Sequence, residues 1–315
     1  MKVIDHFEEL GELKWPVVTS GTFDGVHSGH LKILEGLVSQ AKLNGGESVV
    51  ITYWPHPKFI LGKGTSTLKL LSTFDEKVAL MDKIGVDYLL KVRFSKEFSE
   101  LTPEAFVQKV LISGLRIRKF LIGYDHRFGK NQLGDIQFLT ANKDRFGFDV
   151  AEISRLDIDQ IGVSSTKIRS ALFSGDVVTA KHYLGRYFSL SGIVTKGAQI
   201  GRKLGFPTAN IFIPEIYKLI PADGVYAVFV SLELRHFEGM LNIGVRPTLN
   251  GNLRTIEVNI FDFNEDIYGN HLSIEFVGYI RHEIKFNHLN DLKIQLAIDK
   301  SEAKKILGIN RLSVK

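Results

Sequence analysis

The chain has 315 residues, which is long for one compact core, so we expect two domains. It contains no cysteine, which excludes disulfides, thiolate metal sites and a cysteine nucleophile, and favours a cytoplasmic location. No signal peptide and no run of about 18 apolar residues is apparent, so we expect no membrane contact. The formal net charge of +5 comes from scattered lysines and arginines, which suits an anionic substrate and does not indicate nucleic acid binding.

From Pro16 onward, the first half of the chain alternates short apolar runs with helical patterns. The predicted strands are Val17–Thr22, Ser48–Tyr53, Tyr88–Val92, Lys119–Ile122 and Asp149–Ile153. The predicted helices include Asp75–Ile84, capped by Thr73, and Pro103–Leu111, capped by Thr102. This alternation predicts a parallel sheet covered on both faces, with ligands bound beyond the carboxyl ends of its strands.

The stretch Val17–His30 reads VVTSGTFDGVHSGH and runs from a predicted strand through a glycine-containing loop into a helix start. Unpaired N–H groups and the positive end of the helix dipole make such a start a natural place for a phosphate. His27 and His30 are three residues apart, so we expect both imidazoles on one face of the first turn, where they can donate to phosphate oxygens. For an isolated H-x-x-H, a helix cap beside a surface histidine and a metal pair remain alternatives.

Three further loops follow predicted strands. After the second strand comes YWPHPKFIL, in which two prolines around His56 predict a rigid turn. After the fourth comes IGYDHRFGKN, which by itself reads as a solvated connection. After the fifth comes VSSTKIRSAL, where Ser164 or Ser165 can cap a helix that carries Arg169 one turn further on. Its hydroxyls, N–H groups and guanidinium could form a second phosphate clamp, although a capped helix with surface charges is the simpler alternative.

After Leu184 the pattern changes to strand-like runs joined by short turns. The six predicted strands are SLSGIVTKG, ANIFI, GVYAVFVSLEL, FEGMLNIGV, TIEVNIFDF and LSIEFVGYI. Their spacing predicts an antiparallel closed barrel, which leaves no exposed sheet edge. The final stretch, LNDLKIQLAIDKSEAKKIL, has helical periodicity and is expected to pack on the barrel. We therefore predict an α/β domain over residues 1–185 and an all-β domain over residues 186–315.

Two stretches of the predicted barrel carry candidate functional residues. The first, KGAQIGRKLGFPTANI, contains glycines that would let the backbone approach a phosphate, namely Gly197, Gly201 and Gly205. In it Thr208 and Asn210 share a face of an extended strand, where they could ligate Mg²⁺. In the second, TIEVNIFDF, strand alternation puts Thr255, Glu257 and Asn259 on one face. From the residues alone, the first stretch could instead be a glycine-rich hairpin without a ligand, and the polar face of the second could be an exposed strand face.

The N-terminal motif GTFDGVHSGH resembles the signature of the cytidylyl/adenylyl-transferase superfamily, in particular its FAD synthetase branch. VSSTKIR is similar to the I-S-S-T-x-I-R motif of that superfamily, with Val163 in place of isoleucine, and GYDHRFG resembles its G-x-D-x-x-F-G loop, with His126 where phenylalanine is common. The resemblance implies a Rossmann-like nucleotidyltransferase domain in which His27, His30 and Arg169 are catalytic. The nucleotide- and flavin-binding residues that it implies are Gly21, Phe23, Asp24, Gly25, Gly29, Asp125, Ser164, Ser165 and Thr166.

The C-terminal stretch GRKLGFPTAN is similar to the riboflavin kinase motif, and PADGVYAV, NIGVRPTLN and YIRHEIKF agree with the same family. The resemblance implies that Glu257 is the general base for the ribityl 5′-hydroxyl, and that Thr208 and Asn210 hold metal and phosphate. The further binding residues that it implies are Gly197, Gly201, Gly205, Pro207, Arg281 and Glu283. A structural salt bridge is an equally plausible explanation of the Arg281 and Glu283 pair.

These motifs cover essentially the whole chain, in the order found in the bifunctional prokaryotic riboflavin kinase/FAD synthetase family. The resemblance implies phosphorylation of riboflavin to FMN and adenylylation of FMN to FAD and pyrophosphate, both with ATP and Mg²⁺. The expected ligands are therefore ATP, riboflavin, FMN and FAD. Two alternatives are a nucleotidyltransferase for another phosphorylated acceptor, such as phosphopantetheine, and a non-catalytic flavin-binding protein. The residues do not indicate an oligomeric state.

Overall fold

The structure is a computed structural model and describes residues 1–62, 68–123, 126–153, 162–197, 200–248 and 251–312. The chain forms two compact units, Met1–Ser165 and Thr166–Lys315. This division comes before the boundary predicted near residue 185, because the helices on either side of residue 175 group with the C-terminal unit.

The N-terminal unit is built on a parallel sheet. Its strands in the described residues are β1 (Lys2–Ile4), β2 (Val17–Ser20), β3 (Ser48–Trp54), β4 (Tyr88–Arg93), β5 (Lys119–Gly123) and β6 (Asp149–Ile153). They lie in the order β1-β4-β3-β2-β5-β6, so the five predicted strands are confirmed. The prediction missed β1, a three-residue edge strand paired with β4, because so short a segment carries no periodic pattern.

Both faces of this sheet are covered, as predicted. Neighbouring residues of one strand belong to two separate apolar clusters: Val18 and Val49 lie in one, and Val17 and Val50 in the other. This is the burial pattern of a parallel sheet between two layers of helices. The helices of this unit are α1 (Ser28–Leu43), α2 (Pro57–Leu61), α3 (Phe74–Ile84), α4 (Lys96–Ser99), α5 (Pro103–Phe106, continuing as a π-helix over Val107–Gly114), α6 (Ile136–Ala141) and α7 (Lys143–Phe146), with 3₁₀ turns at Phe7–Glu9 and Lys130–Gln132.

The predicted helix caps are present in the structure. Thr73 and Glu76 form a reciprocal capping box at the start of α3, and Thr102 accepts a hydrogen bond from the Ala105 N–H at the start of α5. The prediction of a simple turn around His56 was incomplete. Nδ1 of His56 accepts from the Lys58 N–H at 3.2 Å and caps the short helix α2, whose first residue is a proline.

The C-terminal unit contains the predicted closed barrel. Its strands are β7 (Phe188–Thr195), β8 (Ala209–Phe212), β9 (Gly224–Leu232), β10 (Arg235–Thr248), β11 (Gly251–Ile260) and β12 (His271–Arg281), in the order β10-β11-β8-β7-β12-β9. Within the described residues, neighbouring strands of the barrel pair antiparallel. A short helix, Ile200–Lys203, lies within the glycine-rich stretch, for which the residues alone had left a hairpin as an alternative.

The helices after residue 164 are α8 (Ser165–Phe173), α9 (Val177–Leu184), α10 (Ile200–Lys203, the helix just described) and α11 (Leu289–Leu312). Of these, α9 packs on β7 and β12, and α11 packs on β9, β10 and β12. Ala303 and Leu307 of α11 pack against Met240, Phe261 and Val277, which confirms the predicted C-terminal helix. Across the part of the chain that the structure describes, no helix is both long and apolar enough to cross a membrane.

Candidate active sites

The loop between β2 and α1 has an unusual backbone. Phe23, Gly25 and Val26 have positive φ angles of 46°, 79° and 40°, a region that side chains with a Cβ rarely adopt. Phe23 and Val26 are nevertheless almost fully buried. A Cβ at Gly25 would lie 2.8 Å from Leu71, so glycine is required there on two grounds. The surrounding structure therefore holds this loop in a conformation that the sequence alone would not favour.

Hydrogen bonds of Asp24 contribute much of the support for this loop conformation. Its side chain is 3% exposed and its Oδ1 accepts from the backbone N–H groups of Leu71 at 2.9 Å and Ser72 at 3.3 Å. The hydroxyl of Ser72 accepts from the Gly25 N–H at 3.1 Å, and the Ser165 hydroxyl donates to the Asp24 carbonyl at 3.1 Å. Asp24 and Ser165, both predicted binding residues, thus act on the shape of the loop through neighbours distant in sequence.

Lys77 lies in the same buried surroundings and was not predicted as a site residue. Its ammonium donates to the Thr22 carbonyl at 2.7 Å and to the Thr52 hydroxyl at 3.3 Å, and only 4% of the residue is exposed. Burial lowers the pKa of Lys77 to about 8, against an opposing effect of Asp24. In the sequence it reads as an ordinary lysine of helix α3, because only the fold places it beneath the end of β2.

The two predicted histidines do lie on one face of the first turn of α1. Their rings stack with centroids 3.6 Å apart and an interplanar angle of 15°, and His30 also meets Phe23 edge-on at 5.2 Å. Nδ1 of His27 accepts from the His30 N–H at 3.3 Å, which makes His27 the helix cap as well. Because Nδ1 is an acceptor, the neutral His27 ring carries its proton on Nε2, where it can donate to an anion.

A polar cluster lies at the carboxyl ends of the central strands. The Ser20 hydroxyl and Nε2 of His126 are 3.1 Å apart, and Ser20 also interacts with the Tyr53 side chain. Burial lowers the pKa of His126 to about 4 and raises that of Tyr53 to about 12, so both side chains are neutral near pH 7. Asp125, the predicted binding residue next to His126, lies outside the described residues.

In the barrel, Glu257 faces a cavity of about 320 Å³. The carboxylate is 9% exposed and accepts from the Thr208 hydroxyl at 3.3 Å and from the Thr255 hydroxyl at 3.4 Å. The cavity wall is mainly apolar, and its other polar or charged members include Asn242, Asn259, Arg281, Glu283 and Asp299. Strand alternation thus turns the predicted polar face of β11 toward this cavity, whose wall helix α11 shares, which decides against an exposed strand face.

A second cavity, of about 160 Å³, also has Thr208 in its wall. Its lining combines aromatic rings with charged groups, among them Phe263, Tyr268, Arg202 and Glu265. Thr208 is therefore a member of both cavity walls, next to Glu257. Aromatic faces beside a cation are the kind of lining that a nucleotide base and its phosphates require.

The glycine-rich stretch is packed closely around the predicted metal ligands. A Cβ at Gly197 would collide with the Asn210 amide, and a Cβ at Gly201 would collide with the Phe206 carbonyl. Gly205 has a φ of 83°. In the described residues no group of three or more His, Cys, Asp or Glu side chains could hold a metal. Any metal here would therefore depend on oxygen ligands such as Thr208 and Asn210 together with substrate phosphates.

Arg281 and Glu283 do not pair with each other. Arg281 forms two hydrogen bonds with the Asp299 carboxylate, at 2.8 and 2.6 Å, and Asp299 is 1% exposed. Glu283 instead accepts from the Asn242 amide at 3.1 Å and from the Val245 N–H at 3.4 Å. Arg281 thus forms a structural salt bridge, but with Asp299 and not with Glu283. Both Arg281 and Glu283 also line the larger cavity, so a role in ligand binding is compatible with these contacts.

Two different protein families match the N-terminal and C-terminal parts of the chain. The FAD synthetase family model matches residues 11–167, and the riboflavin kinase family model matches residues 184–307. The bifunctional riboflavin kinase/FMN adenylyltransferase of Escherichia coli (strain K12) is 35% identical to the chain over 314 residues, which covers 99% of both proteins. The chain belongs to the bifunctional riboflavin kinase/FMN adenylyltransferase family. It thus carries an FAD synthetase domain followed by a riboflavin kinase domain, and is a transferase that uses ATP.

Further relatives agree with this family. The bifunctional riboflavin kinase/FMN adenylyltransferase of Bacillus subtilis (strain 168) is 35% identical over 291 residues, covering 91% of each protein. That of Buchnera aphidicola subsp. Schizaphis graminum is 38% identical and covers 98% of this chain and 100% of the relative. A crystal structure described as a macrolide-efflux protein from Streptococcus pneumoniae has a TM-score of 0.85 at 29% identity, covering 96% of this chain and 98% of that one. This last similarity supports the fold of the chain.

The residues of the predicted phosphate clamp are divided between the two compact units. Thr166 and Arg169 fall in the C-terminal unit by contacts, whereas His27 and His30 fall in the N-terminal unit, so the expected phosphate clamp stays a prediction. The remaining predicted binding residues of the FAD synthetase domain also lie in the N-terminal unit: Gly21 and Gly29, which are close to the loop in sequence, and Ser164, which is distant from it in sequence. The role of each predicted residue likewise remains a proposal.

Proposed function

We propose that the riboflavin kinase reaction takes place where the two barrel cavities meet. The single observation that carries this proposal is the 3.3 Å contact between Thr208 and Glu257, since Thr208 lines both cavities. Riboflavin would occupy the larger, more apolar cavity with its 5′-hydroxyl directed at Glu257. ATP would occupy the smaller one, with its phosphates toward Arg202. This arrangement would bring the hydroxyl and the γ-phosphate together.

In this kinase step, Glu257 accepts the proton of the 5′-hydroxyl while the hydroxyl oxygen attacks the γ-phosphorus. The bond from that phosphorus to the bridging oxygen breaks, and ADP leaves as FMN forms. Hydrogen bonds from Thr208 and Thr255 orient the carboxylate, so that its remaining acceptor positions can face the substrate. Little covalent chemistry is asked of the protein, and positioning is the main contribution.

Mg²⁺ fits the residues at the same place. Thr208 and Asn210 offer neutral oxygen donors, Glu257 offers a carboxylate, and the absence of a Cβ at Gly197 leaves the space that the Asn210 side chain occupies. When bound, Mg²⁺ would neutralise charge on the transferring phosphates. We therefore propose that Thr208 and Asn210 hold the metal, with the remaining ligands supplied by ATP.

The FAD synthetase domain would transfer AMP from ATP to FMN. An oxygen of the FMN phosphate attacks the α-phosphorus, the bond to the bridging oxygen breaks, and pyrophosphate leaves, with no covalent enzyme intermediate required. Nε2 of His27, the stacked ring of His30 and the N–H groups at the start of α1 would stabilise the developing negative charge. Arg169 and Thr166 would add donors if the predicted clamp forms.

Two variants test both assignments in one assay. Glu257→Gln should abolish FMN formation from riboflavin and leave the conversion of FMN to FAD intact, whereas His30→Ala should do the reverse, so that FMN accumulates. The measurement is chromatographic separation of riboflavin, FMN and FAD after incubation with ATP and Mg²⁺. Loss of both activities in either variant would show that the two sites are not independent. An unchanged FAD yield in His30→Ala would remove this histidine from the mechanism.

The expected cytoplasmic location also remains a proposal. It rests on the absence of cysteine and on a substrate, ATP, that is made inside cells. Fractionation of the source cells with detection of both activities would test it.

A further inference from the structure

Asn259 is a buried side chain whose amide holds the backbone of another strand. It lies on β11, two residues after Glu257 and on the same face, and is 5% exposed. Its Nδ2 donates to the carbonyl of Pro207 at 2.7 Å, which is a short and well-formed hydrogen bond. The partner residue directly precedes Thr208, so this bond acts on the position of Thr208.

The hydrogen bond occurs where regular strand pairing ends. Strands β8 and β11 pair at Val258 with Ala209 and at Glu257 with Asn210, and β8 begins at Ala209. Thr208 therefore lies beyond the last paired residue, and Pro207 has no N–H with which to continue the ladder. The Asn259 amide takes the place of a ladder bond at this end, because it reaches across to the Pro207 carbonyl.

The same bond crosses the wall between the two cavities. Pro207 lines the smaller cavity, Asn259 lines the larger one, and Thr208 lines both. The contact from the Thr208 hydroxyl to Glu257, at 3.3 Å, is long for an O–H···O bond, which usually measures about 2.7–2.8 Å. A small displacement of Thr208 would therefore break it, whereas the 2.7 Å bond from Asn259 resists such a displacement.

We propose that Asn259 is a positioning residue of the riboflavin kinase site: it fixes the segment of Pro207 and Thr208, and thereby sets the Thr208 hydroxyl against the Glu257 carboxylate. This inference rests on the kinase site proposed above. Asn259 acts through Thr208 and is not itself a metal ligand or a base. Its removal should affect the use of metal and nucleotide more than the binding of riboflavin.

Asn259→Leu tests the proposal, since leucine has the same branched shape as asparagine, although it is larger, and has no amide. We expect the kinase kcat to fall on the order of 100-fold, as for other displacements of catalytic groups. Calorimetric binding of ADP should require several-fold more Mg²⁺, while the Kd for riboflavin, followed by flavin fluorescence without nucleotide, should change less than about twofold. The retained affinity for riboflavin shows that the barrel of the variant is folded, and conversion of FMN to FAD by the same preparation should be unchanged.

Asn242→Leu is the matched control. It removes an amide from the wall of the same cavity, but this amide donates to Glu283 and not to the segment of Thr208. The control should leave the Mg²⁺ requirement of ADP binding unchanged, whatever it does to riboflavin. If it raises that requirement as much as Asn259→Leu does, the proposal is wrong.

Asn259→Asp provides a second variant in case leucine prevents folding, because it keeps the shape and replaces the N–H donor with an oxygen. It should show the same loss of kcat and the same shift in the Mg²⁺ requirement. Wild-type values in either variant, or a loss confined to riboflavin affinity, would overturn the positioning role. Glu257→Gln separates this failure from failure of the proposed kinase site: if that variant keeps its kinase activity, the proposed site itself is wrong.

Discussion

Lys77 and Asp24 place two opposite charges in the buried support of the loop between β2 and α1. Each residue is less than 5% exposed, and each forms hydrogen bonds with backbone or hydroxyl groups of neighbouring segments. Burying a charge is costly unless it is paired and hydrogen-bonded, so these residues need a structural reason. The strained φ angles of the loop give that reason, because such a backbone persists only where its surroundings fix it.

Lys77→Met should change how stability depends on pH. The pKa of Lys77 is lowered to about 8 by burial, so between about pH 8 and its ordinary value of 10.5 the folded state binds fewer protons than the unfolded state. The free energy of unfolding therefore increases as the pH rises through this window. The increase is on the order of 3 kcal/mol, at about 1.4 kcal/mol per pKa unit. The variant lacks this gain. Denaturant unfolding of both proteins at pH 7.5 and pH 10.5 measures it.

Other lysines and tyrosines titrate in the same pH range. Because the wild type and Lys77→Met share these residues, their contributions cancel in the difference between the two free energies of unfolding. A wild-type stability that does not rise relative to the variant across this window would contradict the buried charge. Conversion of FMN to FAD should also be weaker in Lys77→Met, because the Thr22 carbonyl loses its donor, while kinase activity should be retained.

Gly244→Ala should weaken riboflavin binding without unfolding the barrel. A Cβ at Gly244 would collide with the Glu283 carboxylate, which is the far end of a flexible side chain and can move away. Glu283 would then lose its bonds from Asn242 and Val245, and the rim of the larger cavity would change shape. We expect the Kd for riboflavin to rise on the order of tenfold, roughly the value of one hydrogen bond.

Flavin fluorescence measures this affinity, and Gly308→Ala is the control. It adds the same methyl group to helix α11 at a position with open space around it, so it should leave the affinity unchanged. An unaltered Kd in Gly244→Ala would mean that Glu283 has no part in shaping the cavity.

At the scale of elements, the ion pair of Arg281 and Asp299 joins helix α11 to strand β12. Asp299 also accepts from the Gln295 amide at 2.9 Å, so its carboxylate is well satisfied although it is 1% exposed. The helix contributes Leu292, Leu296 and Asp299 to the wall of the larger cavity. The attachment of the helix therefore matters for the shape of that cavity as well as for stability.

Arg281→Met should destabilise the barrel by about 3–5 kcal/mol, because it leaves a buried carboxylate without its cation. Scanning calorimetry would show this as a lower midpoint of the barrel transition. The double variant Arg281→Met/Asp299→Leu should recover most of the loss, since an apolar pair can replace a buried ion pair. Arg235→Met removes a bidentate pair that is exposed to solvent, and we expect little change from it. Equal effects of the two arginine variants would contradict the importance of burial.

At the scale of the whole molecule, the C-terminal unit includes helices that the sequence analysis assigned to the N-terminal domain. The helix Val177–Leu184 packs on β7 and β12, and the Leu172 carbonyl accepts from the Ala222 N–H at 2.9 Å. Lys181 lies over the Tyr187 ring at 4.1 Å. The FAD synthetase family model ends at residue 167, within the first of these helices, and the riboflavin kinase model begins at residue 184, the last residue of the second, so the boundary near residue 185 remains a prediction.

Two fragments decide where the domain begins. The fragment 166–315 should fold and bind riboflavin, whereas the fragment 186–315 should unfold at a lower temperature because it loses the packing of both helices on the barrel. Circular dichroism on heating, with riboflavin fluorescence as a second measurement, compares them. Equal stability of the two fragments would support the boundary near residue 185 instead.

Local spacing explains which parts of the site could be predicted. His27 and His30 are three residues apart on a helix, so their shared face follows from helical geometry. The alternation of β11 likewise predicts that Thr255, Glu257 and Asn259 face the same way. Lys77 could not be recognised, because its partners Thr22 and Thr52 lie 55 and 25 residues away. The role of Asn259 depends in the same way on Pro207, 52 residues away.

By itself, the sequence determined the order of the two domains, their fold classes and the motifs that carry the chemistry, because these depend on periodicity and on spacing within a few turns or strands. The tertiary structure decided which buried groups support those motifs: Asp24 and Lys77 around the loop between β2 and α1, Asn259 behind Thr208, and Asp299 beside Arg281. The physical reason is that a hydrogen bond between distant segments depends on how sheets and helices pack, and neither partner carries a local signal of the other.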